Sequence, residues 1–535
     1  MPPDEEGLTA SGAGRLRARL GGFLLLALAV QVVILAAQEK TFFGQLFTFA
    51  SGTAAATSGT PGSSLLLVAG LSAAAWLWAR RGGSGSFSGR LGAAGLANLA
   101  AMGLAAYGAG FATGRLVVFS AGVALALSAL LAVLLPVRGA AAPPPFMKPG
   151  ISLADGVSAL ALLSLLVPTV FPYVHFDAVQ IWGCRASGFG ERGFFGALVP
   201  CVHPGYPPLF SILLGLGARD PLFEGRLVAT LILVFFALFA RDRFARVLPS
   251  AAALALAFLL SVVHVWQGTA MYYANAPLMS FLSAGLLLVL GLPRAEERAE
   301  GPTGGEFVAG TLCLSAAVLV RPDGLYYLAV AAGALLVARI FGGMRLPVGP
   351  LAVAFGAWAT WLLRPEFLKA PGLLSQAADG WRSLAPTPVA AAGVVLSEFF
   401  SSWQGQWLSH KGLGATLYAL VAAAGVDVAL GFRERAAGGT AEGEKRLYGL
   451  VTLASLAAVV ACFALFPFIS DPVAAVQPYE WTDYRLCYRN FVRVGLGRMT
   501  IHLLPFFVLY VLSVLRPPAP PLAAANIETP RSEAC

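Results

Sequence analysis

Charged side chains are scarce in this chain of 535 residues, because Asp, Glu, Lys and Arg together make up only 12% of it. Soluble domains usually carry about 25% charged residues, so the composition argues against an ordinary soluble protein. Hydrophobic residues reach 58%, and the mean hydropathy is +0.75. The sequence therefore predicts a protein that lies largely in lipid.

Cysteine and clustered basic residues are also few, and their scarcity argues against further classes. The six cysteines include no C-x-x-C pair, which argues against a zinc site and against a disulfide framework. The net charge of +9 comes without a basic block, so it indicates no nucleic-acid partner. Cys184 and Cys201 lie in one loop and could pair if that loop faces an oxidising compartment.

Long apolar runs dominate the chain. Runs of about 17–25 apolar residues predict membrane-spanning helices. Fourteen spans are predicted, near 21–37, 64–79, 92–112, 116–136, 152–172, 223–240, 249–265, 275–292, 307–320, 325–341, 347–363, 413–431, 447–467 and 499–516. The pair at 307–320 and 325–341 is short and could form a re-entrant hairpin, which would leave twelve. The predicted fold is an all-α polytopic membrane protein with interfacial helices in its outer loops.

The basic residues predict which side of the membrane each loop faces. A cytoplasmic N-terminus puts most Arg and Lys of the short loops inside, as the positive-inside rule requires. The first span follows RLRARL and has the pattern of a signal peptide, although the many later spans favour an uncleaved helix. All five histidines and most tryptophans then lie at or near the outer face. An aromatic belt would populate both interfaces, so we expect the chemistry outside.

The first outer segment combines an acid, a base and aromatic residues. Asp177 follows a predicted span at the start of an interfacial helix, and Arg185 lies eight residues further, on a similar face of an α-helix. An ordinary helix N-cap is the alternative for Asp177. The following HPGYPP fixes a rigid corner, which brings His203 and Tyr206 back toward the membrane surface.

Two later segments place charges at the same predicted face. Arg321 and Asp323 lie between two apolar runs, where charges cost about 2.5–3.5 kcal/mol deep in the bilayer and are usually paired or functional. Arg498 and His502 are four residues apart at the mouth of the last span, so they share a helix face. Arginine suits phosphate oxygens because its fork binds them in a bidentate manner. Bulk anionic lipid is the alternative ligand.

Four segments that carry polar or charged residues follow one another along the chain. The first outer loop contains D-A-x-x-x-W-x-x-R-A at Asp177–Ala186 and H-P-x-Y-P-P-L at His203–Leu209. Then follow Y-A-N-A-P-L at Tyr273–Leu278, L-V-R-P-D-G-L at Leu319–Leu325 and R-M-T-I-H-L-L-P at Arg498–Pro505. Together they resemble segments of bacterial GT-C superfamily glycosyltransferases, which are membrane enzymes that use polyprenyl-phosphate-linked sugars. The chain departs from that pattern at Asn275, where an Asp is expected, and at Arg321, where a Lys is common.

The resemblance covers residues 151–516 and implies a catalytic membrane domain there. Residues 1–150 are predicted to form a four-helix membrane segment of unknown role, and residues 517–535 a disordered cytoplasmic tail. No large soluble C-terminal domain follows, which favours a lipid or glycan acceptor over a folded protein. The resemblance places the protein in the bacterial inner membrane, with both termini cytoplasmic and the active site outside. The expected partners are the donor, the acceptor and membrane lipids.

The resemblance implies transfer of a sugar from a polyprenyl-phosphate donor, with a base at the acceptor and cations at the leaving phosphate. No cofactor is certain, and a divalent metal on Asp177 stays possible, although Asn275 makes a metal at that position doubtful. The predicted site comprises the catalytic base Asp177, the phosphate ligands Arg185, Arg321, Arg498, His502 and His203, and the sugar or lipid contacts Trp182, Tyr206, Tyr273 and Asn275.

Three other functions remain open at this point. A transporter or a lipid-linked-glycan flippase suits fourteen spans, but it would place charges near the midplane and repeat its halves. Only Asp427 is ionisable well inside a predicted span, and the sequence has no convincing internal repeat. A glycan polymerase or ligase would use similar outer arginines. A structural membrane scaffold would leave the His and Arg distribution without an explanation.

Overall fold

The structure is a computed structural model. It describes residues 13–30, 62–80, 86–115, 153–165, 177–198, 200–201, 206–216, 221–262, 265, 273–293, 302–342, 346–363, 393, 397, 413–434, 440–469 and 499–517.

Helices account for 89% of these residues, and none of them is in a strand. The all-α prediction is therefore confirmed. In chain order the longer helices are α1 (13–30), α2 (Gly62–Arg80), α3 (Phe87–Thr113), α4 (Leu153–Ser164), α5 (Cys184–Gly196), α6 (Leu209–Gly215), α7 (Pro221–Val247), α8 (Ala252–Ser261), α9 (Asn275–Leu290), α10 (Gly304–Val320), α11 (Pro322–Gly342), α12 (Val348–Leu362), α13 (Leu413–Glu434), α14 (Thr440–Ile469) and α15 (Leu504–Leu515). A π-helix at Asp177–Gly183 precedes α5, and a 3-10 helix at Pro249–Ala251 precedes α8.

The helices agree in position with the predicted spans. The span predicted at 116–136 lies outside the described residues, and each of the others overlaps a helix. By length and composition alone, two described helices could cross a bilayer, at Phe87–Thr113 and Pro322–Phe341. Seven further apolar helices of 10–17 residues are shorter. The finding supports an all-helical chain with strongly apolar helices, and the number of membrane crossings stays a prediction.

Local capping explains where two of the central helices begin. Ser86 precedes α3, and its hydroxyl accepts a hydrogen bond from the backbone N–H of Gly89 at 3.1 Å. Thr303 precedes α10 and forms a capping box with Glu306, in which each side chain accepts the other residue's backbone N–H. Helix α3 ends at Gly114, whose φ of 68° is the left-handed conformation that glycine adopts without strain.

Glycine faces bring the central helices into close contact. A Cβ at Gly92 of α3 would lie 2.3 Å from the carbonyl oxygen of Phe235 in α7. Gly285 of α9 and Gly310 of α10 face each other in the same manner, since a Cβ at Gly310 would lie only 2.9 Å from the Gly285 oxygen. Small residues at such crossings let backbones approach, as is typical of helices in membranes. Because no side chain fits between them, these crossings fix the helix positions tightly.

Helix α10 packs against several other helices, among them α3, α9, α11 and α12. One continuous core contains buried residues from both sides of position 150, for example Leu96 in α3 and Leu314 in α10. The helices before and after the predicted boundary therefore share one core. The division of the chain at 150 stays a prediction.

Three consecutive residues near the end of α7 hold three other helices. Arg241 forms an ion pair with Asp155 of α4. Asp242 accepts the backbone N–H of Ser86 at 2.8 Å and so fixes the start of α3. Arg243 pairs with Glu306 of α10 at 3.1 Å, and both side chains are almost completely buried. We call these contacts the α7 clamp. It lies at the opposite end of α10 from Arg321.

Candidate functional site

The first outer segment begins with a π-helix rather than an α-helix. Asp177 is its first residue, and Gly183 is its last. Because the π-helix winds more widely than an α-helix, the expected α-helical spacing between Asp177 and Arg185 does not hold. The helix predicted at this position is confirmed, while the shared face predicted for Asp177 and Arg185 stays a prediction. Short π-helical turns occur frequently at functional sites.

Trp182, Arg185 and Tyr206 form one packed unit. The Nη1 of Arg185 donates a hydrogen bond to the backbone oxygen of Tyr206 at 2.9 Å. The ring centroids of Trp182 and Tyr206 lie 5.9 Å apart, and the guanidinium carbon of Arg185 lies at the same distance from the Trp182 ring. Trp182 and Arg185 are both buried. Arg185 therefore positions the Tyr206 segment, and its predicted role at a phosphate stays a prediction.

A disulfide also links the two stretches of chain that form this unit. Cys184 is bonded to Cys201, with their Cα atoms 6.0 Å apart. Cys184 immediately precedes Arg185, and Cys201 stands shortly before the segment that carries Tyr206. The bond and the Arg185 hydrogen bond thus join the same two stretches of chain at two points. The pairing that the sequence left open is present in the structure, and disulfides are typical of oxidising compartments.

Arg321 joins the first outer segment to the later ones. It is the single residue between α10 and α11, and it has an extended backbone with φ −152° and ψ 157°. Its Nη1 donates to the Oδ1 of Asn275, the first residue of α9. Its Nη2 pairs with Asp323 at 2.9 Å, and its guanidinium carbon lies 5.7 Å from the ring of Tyr206. Arg321 therefore links these residues into one group, which we call the cluster.

His502 lies in the same region and is completely buried. Its ring centroid is 4.5 Å from that of Tyr327, and Arg321 interacts with it electrostatically. The hydroxyl of Tyr327 donates to the backbone oxygen of Met499 at 2.8 Å, which holds the last segment against α11. Within the described part of the chain, neither ring nitrogen of His502 has a hydrogen-bond partner. Buried polar atoms normally have one.

The structure brings six predicted site residues into one region. Trp182, Arg185 and Tyr206 contact one another, Arg321 contacts Tyr206 and Asn275, and His502 lies beside them. Tyr273 is buried two residues before Asn275. His203, Arg498 and the carboxylate of Asp177 lie outside what the structure describes, so their roles stay predictions.

Asp323 and Tyr327 belong to the cluster but were not among the predicted site residues. Asp323 supplies the carboxylate that partners Arg321, and Tyr327 covers the ring of His502. Both are in the RPDGLYY stretch. The acid two residues after an arginine was the sequence signal for Asp323. No local signal identifies Tyr327, because its partner is far along the chain.

The described side chains of the cluster include more positive than negative charges. Arg185 and Arg321 carry two positive charges and Asp323 one negative charge, so these three residues carry a net positive charge. Preorganised guanidinium groups stabilise oxyanions. Among the residues that the structure describes, no group of three or more His, Cys, Asp or Glu side chains could hold a metal ion.

Asp427, the one ionisable residue well inside a predicted span, has partners on two neighbouring helices. Lys445 of α14 donates to it at 2.7 Å, and the Tyr510 hydroxyl of α15 donates at 2.9 Å. These contacts pair the charge of Asp427 with a cation and a hydroxyl group. They join three helices of the C-terminal part of the bundle.

Comparison of this chain with protein-family models, with curated proteins and with solved structures found no match.

Proposed function

We propose that the chain is a polytopic membrane glycosyltransferase that moves a sugar from a polyprenyl-phosphate donor to a lipid or glycan acceptor. We place it in the bacterial inner membrane, with its active site outside the cytoplasm. The observation that carries the proposal is the meeting of Tyr206, Asn275, Arg321 and His502, which come from four separate segments. These are the segments that resemble the GT-C superfamily.

Exposed apolar side chains support the membrane location. Leu160 and Leu163 of α4, Ile340 of α11, Val428 of α13 and Leu453 of α14 are each more than half exposed. Apolar surface of this extent on a water-soluble protein favours association or aggregation. A lipid environment would cover it without any further protein.

The cluster suits the departure of a phosphate. In the proposed reaction, an acceptor oxygen forms a bond to the anomeric carbon of the sugar. The bond between that carbon and the phosphate oxygen breaks, and the polyprenyl phosphate leaves with the electron pair. Arg321 would stabilise the growing negative charge, and His502 would donate a hydrogen bond to the same oxygens. Asp177 would take the proton of the acceptor.

The other residues would shape the site. Trp182 and Tyr206 offer aromatic faces against a sugar ring, and Asn275 holds the guanidinium of Arg321 from one side. Arg185 and the disulfide keep the Tyr206 segment in position. In the proposed reaction, Arg321 and His502 bind the phosphate, and Trp182 and Tyr206 contact the sugar.

The test compares the wild-type protein with Asp177→Asn. Radiolabelled sugar is followed from a membrane lipid extract into lipid or glycan product. We expect Asp177→Asn to lose about 100-fold or more of the transfer rate, as removal of a general base does. Glu191→Gln is the matched control, because Glu191 is an exposed carboxylate on the same segment, and it should transfer at the wild-type rate.

Two outcomes would contradict the proposal. Unchanged transfer by a folded Asp177→Asn protein would remove Asp177 from the reaction. Absence of transfer by the wild-type protein, together with passage of labelled lipid-linked glycan across a liposome bilayer, would indicate a flippase instead.

A further inference from the structure

The connection between α10 and α11 keeps Asp323 beside Arg321. The backbone N–H of Gly324 donates to the carbonyl oxygen of Arg321 at 3.0 Å, which closes a turn around the two residues between them. Pro322, the first residue of α11, has a fixed φ, and a Cβ at Gly324 would lie 2.3 Å from the carbonyl oxygen of Ala317. The backbone of Asp323 therefore cannot move away from Arg321 unless α11 separates from α10.

The carboxylate of Asp323 offsets the positive charge of Arg321. Its oxygen lies 2.9 Å from the Nη2 of Arg321, and the side chains of Arg321 and Asp323 are 15% and 16% exposed. Solvent thus reaches this ion pair but screens it less than it screens a pair at an open surface. A ligand that binds beside Arg321 meets a guanidinium together with a carboxylate.

Asn275 holds the same guanidinium without bringing a negative charge. Its Oδ1 accepts a hydrogen bond from the Nη1 of Arg321, and its side chain is buried. An aspartate, which the family that the sequence resembles has at this position, would accept the same hydrogen bond and add one negative charge. The charge around Arg321 therefore depends on which of its partners is an acid and which is an amide.

The two prenyl lipids of the proposed reaction differ in charge. The donor is a phosphodiester with a single negative charge. The polyprenyl phosphate that leaves is a phosphomonoester, whose charge at neutral pH is about −1.5 to −2. A site with only positive charges would bind this product more tightly than the donor, and release of a tightly held product limits the rate of many enzymes.

We propose that Asp323 sets the preference of the site between the phosphodiester donor and the phosphomonoester product. Its carboxylate repels a phosphate bound beside Arg321, and it repels the monoester more strongly because the monoester carries more charge. Asp323 thereby weakens the binding of the product more than that of the donor, and so favours release of the polyprenyl phosphate. This inference rests on the proposed function, which supplies the two phosphate esters.

The experiment compares two prenyl lipids that contain no sugar, so that no transfer takes place. Farnesyl phosphate is a monoester, and methyl farnesyl phosphate is a diester with the same prenyl chain. Calorimetry measures the dissociation constant of each from the full-length protein in neutral detergent, at about pH 8, where the monoester carries close to two charges. The readout is the ratio of the two constants, because a variant that only loosens the site weakens both lipids alike.

Four variants separate charge from structure. We expect Asp323→Asn to shift the ratio about tenfold in favour of the monoester, whereas Asp323→Glu keeps the charge and should keep the ratio. Asn275→Asp adds a carboxylate of nearly the same size as the amide, so it should shift the ratio about tenfold in favour of the diester. Glu191→Gln is the control, because it removes an exposed carboxylate of α5, and its ratio should equal that of the wild type.

Three results would overturn the inference. An unchanged ratio in Asp323→Asn would do so, even where both lipids bind more weakly, and would leave the proposed transfer reaction standing. Should Asp323→Asn fail to fold, a wild-type ratio in Asn275→Asp would overturn it. Wild-type protein that binds neither lipid would contradict the phosphate site itself, and the proposed function would fail with the inference.

Discussion

The guanidinium of Arg321 donates one hydrogen bond to the side-chain oxygen of Asn275 and pairs with Asp323 through its other nitrogen at 2.9 Å. One side chain thereby joins the start of α9 to the connection between α10 and α11. A lysine at this position would supply one point charge and could not span both partners with fixed geometry. In the family that the sequence resembles, a lysine is common at this position. The arginine of this chain fits the side chain of Asn275 beside it.

The first prediction concerns Arg321→Lys. The positive charge would remain near Asp323, so we expect the protein to fold, but the planar fork that would bind the leaving phosphate in the proposed reaction would be lost. Transfer should fall about 100-fold, as it does when a single oxyanion donor is removed. The control is Arg339→Gln, because Arg339 is exposed near the far end of the same α11 helix. Normal transfer by Arg321→Lys would mean that only the charge matters.

The second prediction concerns His502→Phe. A phenyl ring preserves the packing against Tyr327, and it removes two buried ring nitrogens that have no partner within the described part of the chain. An unsatisfied buried polar group costs about 1–3 kcal/mol, so the melting temperature should stay the same or rise. Transfer should fall about tenfold or more, because a hydrogen bond to a charged group is lost. A destabilised variant with normal transfer would identify His502 as a structural residue.

The third prediction concerns the disulfide between Cys184 and Cys201. Replacing both residues by Ser frees the segment that carries Tyr206, and loop-closure entropy predicts a loss of about 3 kcal/mol. We expect a lower melting temperature and weaker transfer that a higher donor concentration partly restores. Cys313→Ala is the control, because Cys313 is a free buried cysteine and its replacement leaves the disulfide intact. An unchanged KM for the donor in the double Ser variant would refute the positioning role.

The fourth prediction concerns the α7 clamp. Arg243→Met leaves the carboxylate of Glu306 buried without its cation, which should cost about 3–5 kcal/mol of stability. Adding Glu306→Gln should recover much of that loss. Thermal unfolding of the three proteins measures both effects.

The neighbouring residue of the clamp supplies the comparison for that prediction. Arg241 also pairs with a carboxylate, that of Asp155, but the two side chains are 32% and 48% exposed. Solvent screens such a pair, so Arg241→Met should cost no more than about 1 kcal/mol. Equal losses from Arg241→Met and Arg243→Met would contradict the role of burial.

Apolar periodicity predicted the helices because it records where each segment meets an apolar environment. It also predicted that Arg321 and His502 lie at one face of the membrane, since charges between apolar runs lie near an interface. It could not predict that Arg321 bonds to Asn275, because that contact depends on how closely α9 and α10 cross. The crossing is set by Gly285 and Gly310, whose sequence signal is only a small residue in each helix.

The local conformation of the first outer segment was also beyond the sequence. The interval between Asp177 and Arg185 was predicted with α-helical geometry, and the π-helix at Asp177–Gly183 alters it. The sequence also did not predict that Arg185 is buried and donates a hydrogen bond to the backbone oxygen of Tyr206. A charged residue in a polar segment carries no local sign of burial, because its partner is a backbone oxygen supplied by another segment.

The α7 clamp holds the start of α10, which is the end of the helix opposite Arg321. Glu306, at the start of the helix, is held by Arg243, and Arg321 follows its last residue, about 22 Å further along the axis. A rotation of about 5° about the fixed end would carry Arg321 about 2 Å sideways, given that length. A small change in the angle of α10 at Glu306 would thus move Arg321 by a distance comparable with the length of a hydrogen bond.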